Sequence, residues 1–77
     1  MFILDQKNMK PVESSNLKAL HYDEVEKKLY IKFHNARIFV YFKVPEQEYL
    51  DLYNAPSCGK KFHISIKGKY DCEEYRD

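Results

Sequence analysis

A chain of 77 residues carrying 12 aromatic side chains (seven Tyr, five Phe) and only two Gly is one folded domain at most and too apolar for disorder. Cores of this size rarely supply more than about 3–5 kcal/mol, which argues against an elaborate enclosed active site. Thirteen Lys+Arg against twelve Asp+Glu leave a net charge of +1, so a polyanionic partner would have to be met by a local cluster.

Residues 1–10 read as an N-terminal arm or an edge strand. Phe2-Ile3-Leu4 is β-like, but Asp5 interrupts it before it reaches the length of a secretory signal, and no basic flank precedes it. No apolar run approaches the length of a membrane span. The two cysteines, Cys58 and Cys72, suit reduced thiols, and the expected setting is cytoplasmic, without a membrane partner.

Ser14-Ser15-Asn16 suits a turn leading into a strand. Leu17 to Tyr22 is the first strand, ended by the polar turn Asp23-Glu24-Val25-Glu26-Lys27. Leu29-Tyr30-Ile31-Lys32-Phe33 alternates cleanly, and Ile38 to Val44 is the richest β run of the chain. The turn between them admits two registers. A two-residue Asn35-Ala36 turn leaves Tyr30, Lys32, His34, Arg37, Phe39, Tyr41 and Lys43 on an open face, a platform of rings between cations. A three-residue turn shifts the second strand by one and turns Phe39 and Tyr41 inward beside Phe33 and Ile31.

Pro45 suits the first turn of a helix, followed by Glu46 and Glu48 where negative charge is favoured and by Tyr49, Leu50 and Tyr53 at helical spacing. Ala55-Pro56 breaks it. Ser57 caps a second helix over Gly59 to Ile66, with Gly68 as its stop and Phe62 and Ile66 as its apolar edge. The expected class is α+β: a small single domain over residues 11–70, a three-stranded antiparallel meander followed by two short helices packed on one face (β-β-β-α-α). Residues 71–77 read as an acidic tail.

Catalysis finds little support. His21, His34 and His63 share no metal-ligand spacing with the cysteines, Ser14-Ser15 has no glycine elbow, and two glycines cannot build a phosphate loop. The residues point to a non-catalytic binding module without a cofactor. Its best candidate surface is the acid-free run Lys60, Lys61, Lys67 and Lys69, with Lys60 and Lys67 seven apart, a spacing that a helix brings to one face.

Several segments together resemble the KTSC domain, a short module found at the C-terminus of some lysyl-tRNA synthetases and as small bacterial and phage proteins. They are Val12-Glu13-Ser14-Ser15-Asn16-Leu17-Lys18-Ala19-Leu20, Tyr22-Asp23, Phe33-His34-Asn35, Tyr41-Phe42-x-Val44-Pro45, Tyr49 followed by Asn54-Ala55-Pro56-Ser57, and then Gly59, Phe62, Ile66, Lys67-Gly68-Lys69 and Tyr70. The synthetase fusion implies RNA as a ligand. The family's tyrosine-x-tyrosine falls on Phe39-Val40-Tyr41, one hydroxyl short. Ile64 and Ser65 stand at commonly basic positions, and Asp71, Glu73 and Glu74 replace a basic tail; both departures run against RNA.

Two function classes follow. An RNA-binding module would use Lys60, Lys61, Lys67, Lys69 and Arg37 for phosphates and Tyr41 or Tyr70 for stacking. A protein-interaction module, adaptor or phage-type effector, would use an edge strand, the Glu46/Glu48/Asp51 patch or the charged tail.

Overall fold

In the computed structural model, which describes residues 9–76, the alternating runs pair into one antiparallel sheet. Its strands are β1 (Lys10–Pro11), β2 (Leu17–Asp23), β3 (Lys28–Phe33), β4 (Ile38–Tyr41) and β5 (Cys72–Tyr75), lying side by side in chain order. Helices α1 (Glu46–Tyr53) and α2 (Cys58–Ser65) fall between β4 and β5. The three-stranded expectation is therefore corrected to five strands.

Both additional strands are edges, and each hides its β character for a physical reason. β1 is two residues long and contains a proline, yet Lys10 and Pro11 pair with Leu20 and Ala19. β5 reads Cys-Glu-Glu-Tyr, with the charge that sheets place on edges to discourage pairing with other chains. It pairs along all of β4, from Ile38 with Tyr75 to Tyr41 with Cys72, inside the segment that looks like a tail. Phe2-Ile3-Leu4 lies outside the described residues.

The hairpin register is decided by its turn. The Phe33 N–H donates to the Arg37 carbonyl (2.9 Å) and the Ala36 N–H to the Phe33 carbonyl (3.0 Å). The loop is thus the three residues His34-Asn35-Ala36, with Ala36 in the left-handed region at φ 71°. Asn35 Oδ1 tightens it by accepting from the Arg37 N–H at 3.0 Å. In this register Leu29 pairs with Tyr41 and Ile31 with Phe39. Phe39 and Tyr41 consequently turn toward the helices, and the open aromatic platform does not form.

Ala36 suggests a direct check. Left-handed backbone costs a non-glycine residue about 1–2 kcal/mol, against roughly 0.5–1 kcal/mol of extra chain entropy for glycine. Ala36→Gly should therefore raise the melting temperature by a few degrees. A lower melting temperature in thermal circular dichroism would contradict the three-residue turn.

Both helices pack on one sheet face. Leu17, Leu20, Leu29 and Ile31 meet Leu52, Phe62 and Ile66 there, with Val44 closing the corner. Pro45 enters α1 with φ −65° and ψ 149°, and Glu46 and Glu48 occupy its first turn. Ser57 Oγ accepts from the Lys60 N–H at 3.4 Å, capping α2. β4 stops earlier than its composition suggests because Lys43 turns the chain at φ 57°. The opposite face is also apolar, with Met9, Ala19, Tyr30, Ile38 and Val40 buried. Among the described residues no helix is long and apolar enough to cross a membrane.

Candidate functional site

The inward register of Phe39 and Tyr41 builds a cleft of about 580 Å³ between the β3–β4 hairpin tip, α2 and the start of β5. Phe33, Phe39, Tyr41 and Phe62 make its apolar surface, meeting edge to face at centroid distances of 5.6 Å (Phe33–Phe62), 5.9 Å (Phe33–Phe39) and 5.8 Å (Tyr41–Phe62). Polar side chains ring it: Ser15, Asn16, His34 and Asn35, with His63, Lys67 and Cys72 from α2 and beyond.

The polar rim is held by backbone geometry. Ser14 Oγ accepts from the Asn16 N–H (3.2 Å) and the Leu17 N–H (3.3 Å), fixing the turn that starts β2. The His34 N–H donates to the Asn16 carbonyl at 3.1 Å. His34 Nε2 lies 2.7 Å from the Ser14 carbonyl. A carbonyl only accepts, so that nitrogen carries the proton and the hairpin tip is tied to the turn twice. A Cβ on Gly59 would stand 3.2 Å from Ser14 Oγ, so the glycine lets α2 approach this turn.

The sequence-predicted residues are not all brought together. Lys67 lies on the rim of the cleft, and Tyr41 lies in its apolar floor at 5% exposure. Burial, with Cys72 nearby adding to it, pushes the Tyr41 hydroxyl up to about 12. Lys60 lines an adjoining, smaller cleft that shares Ser15, Asn16 and His63 with the first. The common helical face assumed for Lys60 and Lys67 does not exist, because α2 ends at Ser65 and Lys67 follows its cap, Ile66. Lys61 Nζ lies 4.0 Å from Glu48 Oε1, and exposed Lys69 lines neither cleft.

Arg37 and Tyr70 are used elsewhere. The Arg37 guanidinium donates twice to Glu74, Nε to Oε2 at 3.2 Å and Nη2 to Oε1 at 2.9 Å, and lies 5.6 Å from the Phe39 ring centroid. It stitches β4 to β5. Tyr70 packs half-buried against the helix-side core, its hydroxyl raised by burial and by Glu48. Sequence reasoning missed His63, Asn16 and Phe33 as site residues, and it offered His34 and Phe39 only as part of an open platform that does not form. Their signal was Phe33-His34-Asn35 and Asn16 inside the family-like segments, which without the register say nothing about a shared cleft.

The residues lining the cleft include Lys67 and no carboxylate. Among the described residues Lys60, Lys67 and Lys69 make no ion pair, whereas Glu74 is met by both Arg37 and Arg76. Hydrogen bonds from Arg37 and then Arg76 hold the Glu74 carboxyl down at about 2. A depressed carboxylate contributes stability above its unfolded pKa and loses it as pH falls through the folded one. The β5 edge should therefore loosen between roughly pH 4.5 and 2. Titration of the Glu74 side-chain carbon by NMR checks this; an inflection at the ordinary carboxylate value would remove the clamp. Among the described residues no group of three or more His, Cys, Asp or Glu is placed to hold a metal ion.

Comparison with known proteins agrees with this architecture. A lysine–tRNA ligase from Nostoc punctiforme is 41% identical over 66 residues, covering 86% of this chain but 12% of the ligase. The chain thus spans about an eighth of the length of such relatives. A protein from Tsukamurella paurometabola is 34% identical over 62 residues, 80% of this chain and 92% of its own. The crystal structure of a KTSC domain protein from Yersinia pestis superimposes with a TM-score of 0.86 at 32% identity, covering 90% of this chain and 97% of that one. The KTSC domain model matches residues 13–70, from the Ser14 turn through α2 to Tyr70. With that match spanning both helices, the hairpin and every cleft-lining residue but Cys72, the chain belongs to the KTSC domain family.

Proposed function

We propose that this domain is a cytoplasmic, non-catalytic module that binds single-stranded RNA, with Lys60, Lys67 and Lys69 neutralising phosphates. The observation that carries the reading is the pairing pattern: these three lysines make no ion pair among the described residues, and Lys60 and Lys67 border adjoining clefts. The strand acid Glu74 is neutralised by two arginines, so it opposes a phosphate less than its sequence suggests. Relatives named lysine–tRNA ligase support RNA over other polyanions.

The test is a salt titration. Each phosphate neutralised on a single strand contributes roughly −0.7 to the log–log slope, so three predict about −2. Lys60→Gln with Lys67→Gln should reduce it by about 1.4 without altering the melt, because both side chains are exposed. Absence of binding at low salt, or binding indifferent to the two changes, would shift the reading to a protein-interaction module. Ile64, 71% exposed on α2, would then be its apolar anchor.

A further inference from the structure

We infer that His63 is a proton-dependent phosphate contact of this domain, so that RNA binding tightens as pH falls. This role rests on the RNA reading above and adds regulation by pH to the same site. His63 lines both adjoining clefts, whereas Lys60 lines one of them and Lys67 the other. A strand whose phosphates engage both lysines therefore passes the imidazole. Lys60 and His63 are three apart on α2, which puts them on one helical face.

The side chain can take a proton and an anion together. It is exposed, its ring meets Phe62 edge to face at 5.5 Å, and it makes no ion pair or side-chain hydrogen bond with a described residue. It also occupies the last turn of α2, where the helix dipole favours a cation. The other charged or titratable groups on the two clefts are Lys60, Lys67, His34, Tyr41 and Cys72, with no carboxylate among them. Tyr41 and Cys72 are neutral when protonated and gain no positive charge in acid. His34 is the second imidazole, but its Nε2 is engaged by the Ser14 carbonyl at 2.7 Å. Imidazole changes charge between about pH 5 and 8, so His63 adds a pH-dependent cation to the fixed charges of Lys60 and Lys67.

The experiment titrates a labelled uridine hexamer, whose bases take up no proton in this range, against the wild type, His63→Gln and His63→Lys. If phosphate raises the proton affinity of an imidazole about tenfold, binding should tighten about fivefold from about pH 7.5 to about pH 5.5. The log–log salt slope should steepen by about 0.7 over the same interval, one further phosphate on a single strand. His63→Gln should bind at both pH values about as weakly as the wild type at the higher one. His63→Lys should bind at both about as tightly as the wild type at the lower one. In the wild type, the hexamer should move the NMR inflection of His63, identified by its loss in His63→Gln, to higher pH. That of His21, which lines a different cleft, should stay in place. Failure of the hexamer to bind at either pH overturns the RNA reading and the histidine together. Lysine-dependent binding that is equal at both pH values, that keeps its pH dependence in His63→Gln, or that leaves the His63 inflection unmoved overturns the histidine alone.

Discussion

Phe62→Ala is expected to leave the domain largely unfolded at room temperature. Phe62 is 5% exposed and joins α2 to the sheet through edge-to-face contacts with Phe33 at 5.6 Å and Tyr41 at 5.8 Å. Truncating a buried Phe to Ala costs about 3–5 kcal/mol, which matches the whole margin of a core this small. The cavity would open beside the cleft, where Phe33 and Phe39 are only half-buried and solvent has a short way in. Thermal and urea unfolding followed by circular dichroism measures the loss. A variant with the wild-type melting temperature would put Phe62 outside the core and sink the assignment of the cleft floor.

Deleting residues 71–77 is the second change with a large expected effect, and structure reverses its meaning. As a tail, the segment would carry four acids and one arginine away from the lysines, and its loss would strengthen RNA binding. As β5 it pairs residue for residue with β4, ties Arg37 through Glu74, and sets Tyr75 edge-on against Tyr30 at 5.6 Å. Its removal strips ladder hydrogen bonds worth roughly 0.5–1.5 kcal/mol each and uncovers apolar surface beside Ile38 and Val40. The expected cost is at least about 2 kcal/mol, or a fall of roughly 10 °C in melting temperature. A truncated chain that melts normally and binds RNA more tightly would restore the tail. Glu73→Gln, at an exposed position, tests the charge alone with the strand intact.

Much of the fold was legible because local physics and tertiary structure agree there. Alternation over Leu29–Phe33 must face a core, Pro45 with Glu46 and Glu48 must open a helix, and Ser57 with Gly68 must bracket another. The family-like segments were equally readable, since they need only chain order. The site was not. A shift of one residue in the β3–β4 turn decides whether Phe39 and Tyr41 meet solvent or core, and Asn-Ala without glycine leaves both turns open to local reasoning.

The sequence by itself determined the class, α+β with antiparallel strands and two helices, and the chemistry available: lysines past Ser57 and rings in the hairpin. Only the tertiary structure decided which of these meet. Left-handed Ala36 set the register, and the register put Phe33, Phe39 and Tyr41 under one cleft. Long-range pairing made a strand of a charged segment and assigned Arg37 to Glu74 rather than to a ligand. The physical reason is the same each time. Helix caps and alternation are local interactions, written within a few residues, whereas strand pairing and ion pairing join groups tens of residues apart, whose proximity is a property of the folded chain alone.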